Sequence, residues 1–213
     1  MASVSLLLSD PQHPIKPWLQ EWIADNRRVH RIELCHQASE LSGGDFLFLV
    51  SCQEIIRAAL RSQYRYTLVL HASDLPEGRG MSPHVWSVLA GHNELMLSLI
   101  NAADEVDAGD IWQKRLVRIR TTDLWYEIDA QLFDAELELI SWALDHCDTT
   151  IPVPQQGPIT RHRRRTPEDS RIDPSKPLLE SFNQLRVANP DRYPAWFEID
   201  GQRYALKLEK LSS

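Results

Sequence analysis

The chain has 213 residues, of which 43% are hydrophobic and 25% are charged. Such values are typical of globular proteins and exclude a collagen, a coiled coil or a disordered polymer as a description of the whole chain. The formal net charge is −7, which argues against a nucleic-acid partner because phosphate binding needs an excess of cationic side chains. At this length we expect one main domain with a small extension.

The first residues lack the features of a targeting or membrane segment. No basic region precedes the short apolar run at residues 4–8, and no apolar stretch approaches the roughly 18 residues that span a bilayer. The cysteines, Cys35, Cys52 and Cys147, are odd in number and irregularly spaced, so we expect neither a disulfide framework nor a metal site. Together these features predict a cytoplasmic protein without membrane insertion.

Strand and helix patterns alternate along the first seventy residues. The predicted strands cover residues 4–8, 29–34, 45–50 and 67–70, and the predicted helices cover residues 17–23 and 55–60. The continuous apolar run at 45–50 is typical of a strand that is covered on both faces. This alternation predicts a doubly wound α/β sheet with helices on both of its faces.

The second half of the chain adds further elements in a less regular order. The predicted strands are residues 95–100 and 111–119, a long amphipathic helix covers 124–146, residues 149–177 form an irregular loop rich in proline and arginine, and a helix at 178–188 precedes a hairpin of 195–199 with 204–208. The helix and the hairpin predict a short C-terminal extension that packs on the main domain.

The turn after the first strand contains no glycine, since the first glycine of the chain is Gly43. A phosphate cradle of the Rossmann or P-loop type needs glycines in this turn, because the backbone must approach the phosphate closely. The first strand-to-helix turn is therefore not expected to bind a phosphate in that way.

The candidate chemistry lies in two later loops. His71 follows directly on the strand at 67–70, at the strand end where open α/β sheets place their sites. A histidine there suits proton transfer near neutral pH. Asp107 lies in an acidic loop between two predicted strands, and this loop can fold back so that the carboxylate orients the imidazole. Taken singly, a histidine at a strand end is more often structural, and Asp107-Ala108-Gly109-Asp110 also suits a simple turn.

Three segments resemble motifs of the formyltetrahydrofolate-dependent N-formyltransferases. His71 to Pro83 resembles their His-x-Ser-x-Leu-Pro-x-x-x-Gly loop, Asp107 to Asp110 resembles their Asp-x-Gly-Asp loop, and Arg164 to Ser170 resembles an Arg-x-Thr-Pro-x-Asp-Ser segment of the members that act on methionyl-tRNA or amino sugars. The resemblance covers residues 45–208. It implies a Rossmann-like catalytic domain at 1–150, the irregular loop at 151–177 and the extension at 178–213.

The resemblance implies formyl transfer from N10-formyltetrahydrofolate to a primary amine. His71 would act as a general base or as a donor to the tetrahedral intermediate, and Asp107 would position it and shuttle the proton. The family has an asparagine two residues before the histidine, as an oxyanion donor worth about 3–4 kcal/mol, and here that position is Val69. Either another group such as Ser51 or Gln53 replaces this donor, or turnover is slow, or His71 acts alone as the electrophile.

The remaining candidate residues divide between the two substrates. The folate-binding candidates are Cys52, Gln53, Ile55, Ile56 and Asp110. The acceptor-binding candidates are Ser73, Arg79, Arg164, Arg165 and Tyr193. Arginine binds phosphate in a bidentate manner, so the run at 161–165 is a candidate for a phosphate group, although such a run is also typical of a solvated surface. Arg79 would either contact phosphate or fix its own loop.

The acceptor expected from the resemblance is a nucleotide-linked amino sugar, for a surface polysaccharide or glycan precursor. The acidic charge and a length of 213 residues disfavour methionyl-tRNA, and the missing glycine loop disfavours glycinamide ribonucleotide. A catalytically weakened homologue that binds folate or a sugar nucleotide remains the alternative, because of Val69. The sequence leaves open which sugar is used and whether the chain forms a homodimer.

Overall fold

The computed structural model describes residues 1–211. The elements of the first half are β1 (Ser3–Leu7), α1 (Lys16–Asn26), β2 (Arg31–Cys35), β3 (Gly44–Leu49), α2 (Ala58–Arg61), β4 (Tyr64–His71), β5 (Arg79–Gly80) and α3 (Pro83–Leu89). Those of the second half are β6 (Glu94–Asn101), β7 (Ile111–Arg118), α4 (Trp125–His146), β8 (Arg161–His162), α5 (Phe182–Arg186), β9 (Ala195–Ile199) and β10 (Gln202–Leu206).

A six-stranded sheet in the order β2-β1-β3-β4-β6-β7 forms the centre of the fold. The first four strands are parallel, whereas β6 and β7 run antiparallel to their neighbours. The α/β class is confirmed, and the sheet is mixed. The helix α3 has seven residues and rises only about 10 Å, whereas an eight-residue strand such as β4 extends about 26 Å. The short α3 therefore cannot return the chain to the amino end of β4. The next strand, β6, starts near the carboxyl end of β4 and runs antiparallel to it.

The largest hydrophobic core lies between the sheet and helices α1 and α4. On one side it contains sheet residues such as Leu6, Phe48 and Leu97, and on the other it contains Leu19 and Leu139. A second, smaller cluster on the opposite face includes Leu7, Leu47 and Ile56. Both faces of the parallel strands are thus covered, which accounts for the continuous apolar runs of these strands.

Three helical predictions differ from the structure. Residues 83–89, for which no helix is predicted, form α3, with its proline in the first turn and Val85 and Val88 buried. The helix predicted at 55–60 is only Ala58–Arg61, because the preceding residue Arg57 has an extended backbone. The helix predicted at 178–188 is a 3-10 turn, Leu178–Ser181, followed by α5.

The predicted C-terminal hairpin forms, and it pairs Ala195–Ile199 with Gln202–Leu206. Its second strand begins and ends two residues earlier than the predicted 204–208. The segment before the hairpin is bonded to the residues that flank β6 and β7 by Arg186, which is 1% exposed. Its guanidinium donates to the carbonyl oxygen of Arg120 and to Oδ1 of Asn93 at 3.0 and 3.1 Å. Within residues 1–211, no helix has both the length and the apolar composition that crossing a membrane requires.

Candidate active site

The carboxyl ends of β3 and β4 open into a cavity of about 520 Å³. One end is lined by the segments that follow β3 and β6, including Ser51 to Ile56 and Asn101 to Asp104. The other end is lined by the β1–α1 loop, the start of α3, the first three turns of α4, and parts of the C-terminal segments. Residues from eight separate stretches of the chain therefore meet here, and His71, at the end of β4, is among them.

His71 and Asp107 are brought together at this cavity. The Nδ1 atom of His71 lies 3.4 Å from Oδ1 of Asp107, and the two side chains are 8% and 9% exposed. On the other side of the ring, Nε2 of His71 lies 2.9 Å from the carbonyl oxygen of Gly78. Each ring nitrogen therefore faces an oxygen atom, and these two contacts fix the plane of the imidazole.

The backbone of the loop that follows β4 holds the carboxylate of Asp107. The amide of Gly80 donates to Oδ2 of Asp107 at 2.8 Å, so both carboxylate oxygens face a partner. Asp107 has a positive φ of 59°, a left-handed conformation that aspartate adopts more readily than most residues. Gly109 is required two residues later, because a Cβ there would lie 1.8 Å from the carbonyl oxygen of Asn101.

Four of the five folate-binding candidates line the cavity. These are Cys52, Gln53, Ile55 and Ile56. The fifth, Asp110, does not line it, and its carbonyl oxygen accepts a hydrogen bond from the amide of Asn101 instead. Asp110 therefore closes the base of the Asp107 loop, and the prediction that it touches the folate finds no support in its position.

Val69 lines the cavity, and no amide side chain takes the place of the family asparagine in β4. Ser51 and Gln53, the replacements proposed from the sequence, both line the cavity. A further amide side chain that the sequence did not point to, that of Asn101, also lines it. Its Oδ1 accepts a hydrogen bond from Nε1 of Trp112 at 2.7 Å, so its amide nitrogen is turned away from the indole.

Two acidic side chains face into the cavity from α4, and sequence reasoning missed both. Asp129 and Glu136 are seven residues apart, which is two turns of helix, and both line the cavity. Burial raises the pKa of Asp129 to about 7, with an opposing effect from Arg192. Burial, and to a lesser extent the charge of Asp129, raises the pKa of Glu136 to about 8. A helical projection would have placed both carboxyls beside the apolar face that includes Leu132.

Two histidines lie at the same end of the cavity. Nε2 of His84 is 3.9 Å from Oδ1 of Asp129, and the ring of His13 packs against that of Phe133 with centroids 5.9 Å apart. Burial lowers the pKa of each imidazole to about 4, assisted by Arg165 at His84 and by Arg192 at His13. At neutral pH this end therefore presents neutral imidazoles beside weakly acidic carboxyls, all of which are good hydrogen-bonding partners for a polar ligand.

Only two of the five acceptor-binding candidates line the cavity, namely Arg165 and Tyr193. The Arg165 guanidinium lies over the ring of Tyr193, 5.7 Å from its centroid, and its NH2 group donates to the hydroxyl of Ser170 at 2.9 Å. Its Nε is buried and has no partner within residues 1–211. Arg165 thus combines a place in the cavity lining with a guanidinium that is only partly paired.

The other three candidates lie elsewhere. Ser73 is buried below the loop and Arg164 is exposed, and neither lines the cavity. Arg79 is 5% exposed and donates to Glu105 and Gln155 at 3.0 and 2.8 Å. The expectation that Arg79 contacts a substrate phosphate is therefore corrected, since its charge is already paired inside the protein and it fixes its own loop.

Comparisons with known proteins identify the family of this chain. The family model described as "Formyl transferase" matches residues 5–144. This chain belongs to the formyl transferase family. The match ends near the end of α4, so it includes both His71 and Asp107 and leaves the irregular loop and the C-terminal segments outside the matched range.

Among curated relatives, a methionyl-tRNA formyltransferase from Symbiobacterium thermophilum is 29% identical over 191 residues, which cover 87% of this chain and 57% of the relative. The chain spans about half the length of the curated relatives that it matches. The aligned region is thus longer than the region that the family model matches, and it corresponds to only part of the longer relative.

Two solved structures illustrate the range of similar folds. A methionyl-tRNA formyltransferase from Clostridium thermocellum superposes with a TM-score of 0.84 at 20% identity, covering 100% of this chain and 94% of that one. A sugar N-formyltransferase from Shewanella superposes with a TM-score of 0.75 at 14% identity, covering 100% of both chains. At these identities the similarity establishes the fold alone.

Proposed function

We propose that this protein transfers a formyl group from N10-formyltetrahydrofolate to the primary amine of a nucleotide-linked amino sugar. The formyl transferase family uses N10-formyltetrahydrofolate as its formyl donor. The observation that carries the proposal is the His71–Asp107 pair beside a cavity with two chemically different ends. Two ends are what a reaction between two substrates requires, with the reacting groups meeting at the pair between them.

In the proposed reaction, the amine nitrogen of the acceptor attacks the formyl carbon. A new N–C bond forms, and the bond between the formyl carbon and N10 of the folate breaks. The proton lost by the amine passes to the His71–Asp107 pair and then to N10, which leaves tetrahydrofolate and a formamide as products. His71 is the general base in this scheme, or a donor to the oxyanion, and Asp107 fixes the ring and balances its positive charge.

The end of the cavity near Ser51 to Ile56 suits the folate. It combines the apolar side chains of Ile55 and Ile56 with the polar groups of Ser51 and Gln53. Ile55 is 72% exposed at the cavity rim, although large aliphatic side chains are usually buried. A flat aromatic ligand would cover it. We therefore assign Cys52, Gln53, Ile55 and Ile56 to the formyl donor.

The other end suits an amino sugar attached to a phosphate. Asp129, Glu136 and His84 offer hydrogen bonds to hydroxyls or to an amine, and Trp125 and Phe133 line the same region with rings that can cover the apolar face of a sugar. Arg165, which lines the cavity, is the group proposed to hold the phosphate. Tyr193 would support the Arg165 guanidinium through its ring.

Methionyl-tRNA is the second candidate acceptor, because the curated relatives similar in sequence carry that name. The net charge of −7 favours the small acceptor, since tRNA binding relies on cationic side chains that neutralise phosphates. A protein that binds the substrates without turnover is the remaining alternative, and the position of Val69 favours it.

One assay separates these readings. The protein is incubated with N10-formyltetrahydrofolate and, in parallel, with a panel of amino-sugar nucleotides and with methionyl-tRNA, and each acceptor is analysed by mass spectrometry for the gain of one formyl group. We expect formylation of an amino-sugar nucleotide and none of the tRNA. Formylated tRNA alone would refute the sugar proposal, and no product with any acceptor, while folate binds, would indicate a binding protein.

The role of His71 is tested in the same assay. His71→Ala should lower kcat by at least about 100-fold, the smaller end of the contribution of general acid–base catalysis. His92→Ala is the control, because His92 is exposed and lies outside the cavity lining. A His71→Ala enzyme as active as the control would remove His71 from the mechanism.

A further inference from the structure

Gln155 lies in the irregular loop between α4 and β8, far along the chain from the catalytic pair. Its Nε2 donates to the carbonyl oxygens of Asp107 and of Gly109, both at 2.8 Å. These carbonyls flank the turn in which Asp107 has its positive φ of 59°. One side chain therefore connects both ends of the turn that presents the Asp107 carboxylate.

The orientation of Gln155 is itself fixed. Its Oε1 accepts a hydrogen bond from NH2 of Arg79 at 2.8 Å. The other terminal nitrogen of Arg79, NH1, donates to Oε1 of Glu105 at 3.0 Å, and that oxygen also accepts from Arg161 at 2.7 Å. Because Arg79 is 5% exposed, the amide of Gln155 is held with its NH2 toward the turn, and a flipped amide would leave the buried guanidinium without this acceptor.

The backbone on both sides of Gln155 is anchored to the same region. Val153 and Ile111 exchange two backbone hydrogen bonds of 2.8 Å, just after the Asp107 turn. The amide of Gly78, whose carbonyl oxygen faces His71, donates to Oγ1 of Thr160 at 2.7 Å. The irregular loop thus contacts both the aspartate turn and the histidine loop, and Gln155 is the side chain that joins it to the aspartate.

We infer that Gln155 is a positioning residue for formyl transfer, one that acts through Asp107 and not by contact with a substrate. The inference rests on the proposed function for its catalytic consequence. Without the two donated hydrogen bonds, the Asp107 turn would relax from its left-handed conformation, and the carboxylate would shift relative to His71. Displacements of about 1 Å at a reacting centre lower rates by about 100-fold, so the consequence falls on kcat.

The test uses two substitutions of the full chain. Gln155→Met keeps the length of the side chain but removes both donors, and Gln155→Glu keeps an acceptor for Arg79 while it places a carboxylate against two carbonyls. Gln156→Ala is the matched control, because Gln156 is the neighbouring residue and is exposed. We expect both Gln155 variants to lose about 10- to 100-fold in kcat, with KM for the acceptor changed less than about threefold, while the control is unchanged.

A double-mutant comparison separates positioning from a general loss of structure. If Gln155 acts through Asp107, then Gln155→Met should add little further loss in an Asp107→Asn background, because residues that act as a unit are not additive. The same fold loss in both backgrounds would overturn the inference. So would a kcat of Gln155→Met within about threefold of the control.

A second readout does not depend on the identity of the acceptor. Hydrogen exchange, followed by mass spectrometry, should be faster in the peptide that covers residues 105–110 of Gln155→Met than in Gln156→Ala, with the core helix α4 unchanged. Unchanged exchange at 105–110 would overturn the inference even if no acceptor is ever formylated. If exchange is faster in Gln155→Met but the wild-type protein formylates no acceptor, the contact between Gln155 and the Asp107 turn is supported. Only the proposed function is then refuted.

Discussion

The acidic side chains of α4 lead to a prediction about stability and pH. Burial raises the pKa of Glu136 from its ordinary 4.5 to about 8 in the folded protein. Between these two pH values the folded protein binds more protons than the unfolded chain, so the free energy of unfolding falls as pH rises. This is the reverse of the effect of an ion-paired carboxylate, whose pKa is lowered by folding. Glu136→Gln removes the titrating group and should remove this part of the pH dependence.

The magnitude follows from the displacement of the pKa. At about 1.4 kcal/mol for each pKa unit, the full effect above pH 8 would be about 4–5 kcal/mol. The Glu136 side chain is only partly buried and lies against the cavity, where water lowers the penalty, so we expect about 1–3 kcal/mol. Glu136→Gln should therefore gain that much stability relative to the wild-type protein between pH 4.5 and pH 9.

Urea unfolding at a series of pH values measures this difference directly, since the midpoint and slope give the free energy of unfolding at each pH. Asp145→Asn is the control on the same helix, because Asp145 is exposed. A difference between Glu136→Gln and the wild-type protein that stays constant from pH 4.5 to pH 9 would refute the reasoning. A difference that moves in favour of the wild-type protein as pH rises would do the same.

Three further predictions concern the loops and the C-terminal segment. Gly109→Ala should lower the melting temperature in thermal unfolding, because its Cβ would lie 1.8 Å from the carbonyl oxygen of Asn101, and a melting temperature equal to that of the wild type would contradict this contact. Arg186→Met should lower the free energy of unfolding in urea by about 2–4 kcal/mol, because Arg186 is 1% exposed and the acceptors of its hydrogen bonds would lose their partner. A decrease below about 1 kcal/mol would contradict this prediction. Val69→Asn should raise kcat by about tenfold or more if the site lacks an oxyanion donor, whereas an unchanged kcat would indicate that Ser51 or another group already supplies it.

The sequence predicted the elements whose patterns repeat over enough residues. The apolar spacing along α4 predicted that helix within one residue of its observed start, and the alternation around Asp200 and Gly201 predicted the last hairpin. The resemblance to the formyltransferase motifs led to the expectation that Asp107 positions His71, and Oδ1 of Asp107 lies 3.4 Å from Nδ1 of His71. Short helices such as α2 and α3, of four and seven residues, gave too few turns for a period to be recognised.

Charge partners were the features that the sequence did not provide. Arg79 carries the guanidinium group that is typical of a phosphate ligand. Its hydrogen bonds are instead accepted by Glu105 and Gln155, which lie 26 and 76 positions further along the chain. Arg165, in the same run of arginines as the exposed Arg164, is the one that reaches the cavity. A sequence shows which side chains carry charge, but long-range packing decides which charges neutralise each other and which remain free for a ligand.

The sequence by itself therefore determined the α/β class, the family motifs and the two residues at the centre of the candidate site. Tertiary structure alone decided that β6 and β7 run antiparallel, that Asp129 and Glu136 face a cavity, and that Gln155 holds the Asp107 turn. The physical reason is the range of the forces involved. Backbone periodicity and turn preferences act within a few residues and leave a pattern in the sequence, whereas burial, cavity shape and hydrogen bonds between distant loops exist only after the chain has packed.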